Sequence, residues 1–467
     1  MFEPEVYRER RRRLADGLRD RGIAQGCILL SSHCASPINY PDNCYPFRQD
    51  SNWLYFIGLN EPDMAVVIDI ADGGSFLFGE EISIADMIWT GPRPGLWELS
   101  RLAGIEGSKP LDEAKSMLLR IARASMPILY PPTCRAETAG FLAELLDKSI
   151  EEMVRGISHE LISAIVQLRE IKEEREITEL EKATTVTVEM HETLLISLRP
   201  GWSESDAAAL VQSVALKHNC SLSFSTIATI HGEVLHNHER SSVCGNGDVF
   251  LLDAGAEVPS GYAGDLTTTF PVGMRFPPKR AELYRLLLNV FSEAVLCLKP
   301  GRRFLDVHLV AARTLARGFI DIGIMKGNPE DAVRAGAHAL FFPHGLGHMI
   351  GLDVHDMEGL GEDNVGYSDT KRNPQFGLSS LRLAKTLKPG MVHSVEPGIY
   401  FIPGLIDTWR AEGLHKEYID YDELEKWRNC GGMRIEEDWL VTAEGARPLG
   451  PAFDKSLEAI EKARSDI

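Results

Sequence analysis

Four carboxylates interrupt stretches of sequence that are otherwise apolar. Asp253 follows the run Val249, Phe250, Leu251, Leu252, and Asp265 comes 12 residues later, after PSGYAG and before LTTTF. Glu396 lies inside HSVEPGIYF and Glu436 inside MRIEEDWLV. An ionised carboxylate in such a run is costly unless it is paired or bound to metal. Taken singly, each is most simply read as paired with a Lys, an Arg or a backbone cap, because buried charges usually are. Taken together they outnumber the basic residues near them, of which Arg434 is the clearest. Two divalent cations would neutralise the set.

Histidines complete the pattern. The segment FFPHGLGHMIGLDVHD holds His344, His348 and His355. Its glycines and proline rule out the helical H-E-x-x-H arrangement of zinc proteases. A lone histidine is more often a core or surface residue. Three interspersed with Gly345, Gly347 and Gly351 imply a loop whose backbone packs closely around a site. Carboxylate oxygens with one or two imidazoles suit manganese, cobalt, iron or zinc better than a thiolate-seeking metal. Paired metals of this kind activate water and stabilise the oxyanions of hydrolysis.

The elements that must position these groups follow from periodicity. VFLLDAGAEV and LTTTFPV read as strands joined by a Gly/Pro turn, which puts Asp253 and Asp265 on adjacent strands of a hairpin. MVHSVEPGIYF and MRIEEDWLVT read as two further strands, and helices are expected near 176–197, 204–217, 280–298 and 304–322. Helices grouped with antiparallel strands predict an α+β catalytic domain. Ahead of it, a helix near Val6 to Arg21 and the strand-like runs CILLSS, LYFIGL, MAVVIDI, GSFLFG and PILYPP predict a smaller α/β N-terminal domain. From His159 a charged helix, HELISAIVQLREIKEEREITELEKAT, marks the boundary near 155–175, so the domains are set at 1–160 and 161–467.

Composition narrows the function classes. At 467 residues, two domains are expected. The formal charge of -19 disfavours phosphate backbones and anionic membranes, so neither nucleic acid nor a membrane is an expected partner. The one basic run, Arg8 to Arg13, reads as a solvated helix face, and Trp53 as a core aromatic. No apolar stretch approaches the roughly 20 residues that span a bilayer, and MFEPEVYRER has no signal-peptide pattern. Eight scattered cysteines form no C-x-x-C pair, so reduced thiols in a cytoplasmic protein are expected.

The segments LLDAG, GYAGDLTTTFPV, HGLGHMIGLDVHD, SVEPGIYF and MRIEED resemble, in order, those of the Xaa-Pro peptidases, aminopeptidase P and prolidase, with their pita-bread catalytic fold. YPFRQDSNWLYFIGLNEPD resembles the aminopeptidase P N-terminal domain. The resemblance implies Asp253, Asp265, His348, Glu396 and Glu436 as ligands of two divalent metals, manganese foremost, with Asp265 and Glu436 bridging. It implies Glu396 as proton acceptor from the attacking water and His355 as stabiliser of the tetrahedral intermediate or proton shuttle. His236 would contact substrate, His344 and Tyr400 would line the site with Tyr400 near the oxyanion, and Arg434 would orient Glu436. His231 and His238 have no match and read as surface or supporting residues. The aspartates are spaced one residue wider than in bacterial aminopeptidase P, an insertion the turn VPSG tolerates.

Within that family the expected substrate is a peptide with proline in second position, and a homo-oligomer, dimer or tetramer, is the expected assembly. Prolidase, which cleaves Xaa-Pro dipeptides and must hold a free carboxylate, is the close alternative. Arg382 suits that carboxylate because its planar fork binds bidentately, and the long segment Phe401 to Arg428 also resembles prolidase. A non-catalytic peptide- or protein-binding relative and a creatinase-like hydrolase are disfavoured because all five ligand positions are filled. A methionine aminopeptidase is disfavoured by the size of the leading domain.

Overall fold

In the computed structural model, which describes residues 2–465, the chain forms two compact units. One comprises Met1–Arg169 with Met357–Asn364, the other Glu170–Asp356 with Val365–Ile467. The sequence-based cut after residue 160 would divide the helix His159–Arg169, which the structure keeps whole inside the first unit. The charged helix expected from His159 is two helices, His159–Arg169 and Glu174–Ser197. Glu173 ends the gap between them by capping the second one reciprocally with Glu176.

The first unit carries a five-stranded mixed sheet. Strand Cys27–Ser31 pairs antiparallel with Ala65–Asp69 and parallel with Ile128–Leu129. Strand Ser75–Gly79 pairs antiparallel with Ala65–Asp69 and parallel with Gly107–Pro110. LYFIGL, read as a strand, instead ends a helix, Ser51–Phe56, started by the Asp50 side chain accepting from Trp53 N–H. A local cap outweighs β-propensity there. Trp53 is a core residue, its indole N–H donating to Leu59 O at 2.9 Å.

The basic run is not a solvated face throughout. Arg10 and Arg11 on helix Pro4–Asp20 are fully buried. Arg10 donates to Tyr55 O and stacks over the Tyr55 ring. Arg11 donates to Phe56 O, Ala103 O and Gly104 O. Both guanidiniums satisfy carbonyls left open by loops and helix ends, a role that sequence periodicity does not display.

The second unit repeats one plan. A helix pair, Glu174–Ser197 and Glu204–Lys217, precedes a three-stranded antiparallel sheet in which Val249–Ala254 lies between Leu266–Pro271 and Ile227–Thr229. A second pair, Pro278–Leu296 and Phe304–Ile322, precedes another, in which Glu437–Val441 lies between Val392–Val395 and Ala446–Pro448.

The expected long strands around Glu396 and Glu436 are each broken at the glutamate. Val392–Val395 gives way to Gly398–Tyr400, and Gly432–Arg434 gives way to Glu437–Val441. Pro397 has no N–H to continue a ladder. Glu396 N–H donates instead to Leu346 O, and Glu436 N–H to Thr267 O, which bridges the two three-stranded sheets. Both glutamates therefore stand where strands change partners.

Candidate metal centre

Asp253 sits in the middle strand of the first sheet, directly opposite Thr267 and Ile227, and Asp265 immediately precedes the neighbouring strand. The expected hairpin is present, with Asp253 inside its strand and Asp265 one residue before the other. His348 arrives on a loop that can approach only because residue 347 is glycine: a Cβ there would lie 2.2 Å from Ser394 O. Its Nδ1–H donates to Met349 O at 3.2 Å, leaving the Nε2 lone pair toward the carboxylates.

These groups converge. His348 Nε2 lies 3.5 Å from Asp265 Oδ2, 3.5 Å from Glu396 Oε1 and 3.9 Å from Glu436 Oε1. Ligand atoms of Asp265, His348 and Glu436 all fall within 4.8 Å of one another. Asp265 Oδ1 and Glu436 Oε1 are buried without a hydrogen-bond partner. Burial, and then the charges of Asp253 and its neighbours, push the Asp265 carboxyl well above the usual range. Glu436 is raised in the same way, by burial and then by Asp265. Burial raises Glu396 too, with His348 and Arg434 opposing. Orphaned oxygens, crowded negative charge and an aimed imidazole fit divalent cations held by oxygen and nitrogen donors.

Arg434 and Thr267 hold the frame. Arg434 is buried and pairs through Nη2 with Asp253 Oδ2, while its Nε–H donates to Thr267 Oγ1 at 3.1 Å. Thr267 Oγ1–H donates to Glu436 Oε2 at 2.7 Å. Arg434 Nη1–H donates to the Tyr400 hydroxyl at 2.8 Å, and that hydroxyl lies 2.9 Å from His344 Nε2. His344 Nδ1 lies 2.8 Å from Gly345 O, an acceptor, so Nδ1 carries the proton and Tyr400 O–H donates to Nε2. Burial first, and Arg434 second, press the His344 pKa down to about 3, so the ring is neutral. Tyr400 is fully buried and pushed up to about 12, chiefly by burial.

The cavity above this frame holds about 450 Å³. Asp253, Asp265, His348, Glu396 and Glu436 lie on its wall together with Arg434, His236, His344, His355 and Arg382. The ring of His355 stacks on that of His348, centroids 3.8 Å apart and planes 11° apart. Tyr400 is the one predicted site residue not on the wall; it stands behind His344. His344 has both ring nitrogens engaged by the protein, so it meets the cavity with carbon.

His238, read from the sequence as a surface or supporting residue, is exposed and lines the cavity. Sequence reading missed Thr267 and Asp438. Thr267 ties Arg434 to Glu436 and was visible only as one of three consecutive threonines. Period-two alternation separates it, with Thr269, from Thr268, which bonds His191 on the opposite face. Asp438 accepts from Asp265 N–H at 2.9 Å and is pushed up to about 7, mainly by burial. Its position two residues beyond Glu436 on a strand was the available signal.

Known proteins are similar to this chain in sequence and in fold. Residues 178–443 match the model of metallopeptidase family M24, and residues 7–130 match that of the aminopeptidase P N-terminal domain. A probable Xaa-Pro aminopeptidase of Ajellomyces dermatitidis is 34% identical over 477 aligned residues, covering 97% of this chain and 89% of the relative. One from Verticillium alfalfae is 29% identical, covering 97% and 95%. Among solved structures, proline aminopeptidase P II from Yersinia pestis aligns over 100% of both chains with TM-score 0.82 and 26% identity. Aminopeptidase P from E. coli with the inhibitor Pro-Leu aligns over 100% of this chain and 99% of its own, with TM-score 0.80 and 25% identity. The chain belongs to metallopeptidase family M24, a metal-dependent peptidase with an aminopeptidase P N-terminal domain ahead of its catalytic domain.

Proposed function

We propose that the protein is a Xaa-Pro aminopeptidase that uses two divalent metals to release the N-terminal residue from peptides with proline second. The observation that carries this is the convergence of His348, Asp265, Glu396 and Glu436, with two orphaned buried oxygens, on the wall of a substrate-sized cavity. Asp253, Asp265, His348, Glu396 and Glu436 would hold the metals. When bound, the metals supply Lewis-acid polarisation of the scissile carbonyl and a nucleophilic water at neutral pH.

The chain's own residues divide the remaining work. Water oxygen joins the scissile carbonyl carbon, and Glu396 takes the proton released. That proton then passes to the proline nitrogen as the C–N bond breaks. His355 and His236, both on the cavity wall, donate to the oxygen of the tetrahedral intermediate and to the substrate. Arg434, Tyr400 and His344 position these groups. For the native metal we propose manganese, supported by a donor set of four carboxylates and one imidazole.

Cytoplasmic residence is supported by eight unpaired cysteines. No described helix is long and apolar enough to cross a membrane. Homo-oligomerisation, as a dimer or tetramer, is supported by helix Ile84–Thr90, which buries no residue and leaves Trp89 87% exposed.

Arg382 on the cavity wall favours the second reading, a dipeptidase that grips a free proline carboxylate. Ala-Pro and Ala-Pro-Ala, each incubated with manganese-loaded protein, separate the two. Release of alanine from the tripeptide is the expected result, and hydrolysis of the dipeptide alone would assign the enzyme as a prolidase.

A further inference from the structure

The proposed chemistry makes no use of Lys172 or Asp356, yet they form an ion pair with both side chains 1% exposed and Nζ 2.7 Å from Oδ2. Asp356 directly follows His355, whereas Lys172 lies in the gap between helices His159–Arg169 and Glu174–Ser197. Each partner is anchored. Lys172 N–H donates to Gly390 O at 2.8 Å, and Gly390 N–H to Val441 O at 2.9 Å, so the lysine starts from the sheet that includes Val441. Asp356 N–H donates to Met349 O at 2.9 Å, closing residues 349–356 into a loop. The carboxylate packs on Gly351, where a Cβ would come 2.4 Å from Oδ2.

That loop has no helix or strand of its own. Ile350 N–H donates to Val392 O and Ala263 N–H to Gly351 O, which fixes its first half. The second half carries His355. A buried ion pair adds little net stability over apolar residues of the same volume. It does impose direction, because both charges must keep their geometry in a low-dielectric setting.

We infer that Lys172 is a positioning residue for the reaction: through Asp356 it holds His355 stacked on His348 and on the cavity wall. The inference rests on the proposed role of His355, and its test is built to separate the two. Lys172→Met and the double variant Lys172→Met/Asp356→Asn are compared with wild type and with His355→Ala. The double variant removes both charges, so it keeps the test open if the single variant does not fold.

Turnover of Ala-Pro-Ala and metal content are measured with manganese. The His355 Cε1–H resonance is followed in zinc-loaded protein, a diamagnetic form in which stacking on His348 shifts it. In the folded variants kcat should fall about 10–100-fold, the scale of a misplacement near 1 Å. KM should stay within about threefold, metal content should match wild type, and the His355 resonance should leave its ring-shifted position. Wild-type kcat in a folded variant would overturn the inference, as would an activity loss that tracks metal loss with the His355 resonance unmoved. If His355→Ala keeps wild-type kcat, the role of His355 fails instead, and the resonance alone still reports whether Lys172 sets its position.

Discussion

Tyr400→Phe removes one hydroxyl and leaves the aromatic ring. That hydroxyl accepts from Arg434 Nη1 at 2.8 Å and donates to His344 Nε2 at 2.9 Å, both inside the protein. A hydrogen bond to a charged group contributes about 1.5–3 kcal/mol and a neutral one about 1 kcal/mol. The variant leaves a guanidinium donor and an imidazole acceptor unsatisfied, so the loss should be about 3 kcal/mol. At about 1–2 °C per kcal/mol for a unit of this size, the melting temperature of the metal-free protein falls by roughly 3–6 °C. Because His344 and Arg434 are held through this hydroxyl, kcat should also drop, by about 10–100-fold. Metal content should not change. Calorimetry reads the first effect, and nitrogen-15 spectra of His344 read the tautomer, Nδ1–H in wild type and still Nδ1–H in the variant, where Gly345 O remains the acceptor and only the Nε2 signal shifts. A melting shift under about 1 °C, or an Nε2–H tautomer in wild type, would refute the proposed direction of the relay.

Two further expectations can be checked on purified protein. Glu396→Gln should lower kcat by about 10²–10⁴-fold, the range of general-base contributions, with an unchanged circular-dichroism spectrum; retained turnover would remove Glu396 from proton transfer. His191 is fully buried, bonded to Thr268 Oγ1 and Ala254 O, and pressed down to about 3 by burial. An unfolded imidazole titrates near pH 6.5, so stability from this group is complete above that pH and is lost as pH falls toward 3. The slope is up to about 1.4 kcal/mol per pH unit. His338 and His393, each pressed down to about 4 by burial, act with the same sign. Urea unfolding of metal-free protein between about pH 7 and 4 should therefore show a shallower pH dependence for His191→Gln than for wild type. Identical slopes would contradict the assignment of a neutral buried His191.

Much of the catalytic unit was legible because its signals are local. Asp253 and Asp265 could be placed on a hairpin from alternation and a Gly/Pro turn; the register pairs Asp253 with Thr267 and leaves Asp265 immediately before that strand. The glycines around His348 announced close backbone approach, which Gly347 displays against Ser394. What stayed hidden depends on contacts between distant segments. Strands read as continuous through Glu396 and Glu436 break there because each glutamate amide bonds a third segment, at Leu346 and Thr267. Arg10 and Arg11 looked solvated because helical periodicity cannot show that loop carbonyls at Tyr55, Phe56, Ala103 and Gly104 wait for them. LYFIGL has the composition of a strand, but the Asp50 cap commits its first half to a helix. The Lys172 and Asp356 pair spans 184 positions and has no signature in either neighbourhood.

The most direct test is a metal titration of activity. Protein stripped with a chelator receives manganese in steps, and alanine released from Ala-Pro-Ala is measured at each step. A two-metal Xaa-Pro aminopeptidase is inactive without metal and reaches full rate as manganese occupies its pair of sites. Turnover in the stripped protein, or no cleavage of the tripeptide at any loading, would contradict the account.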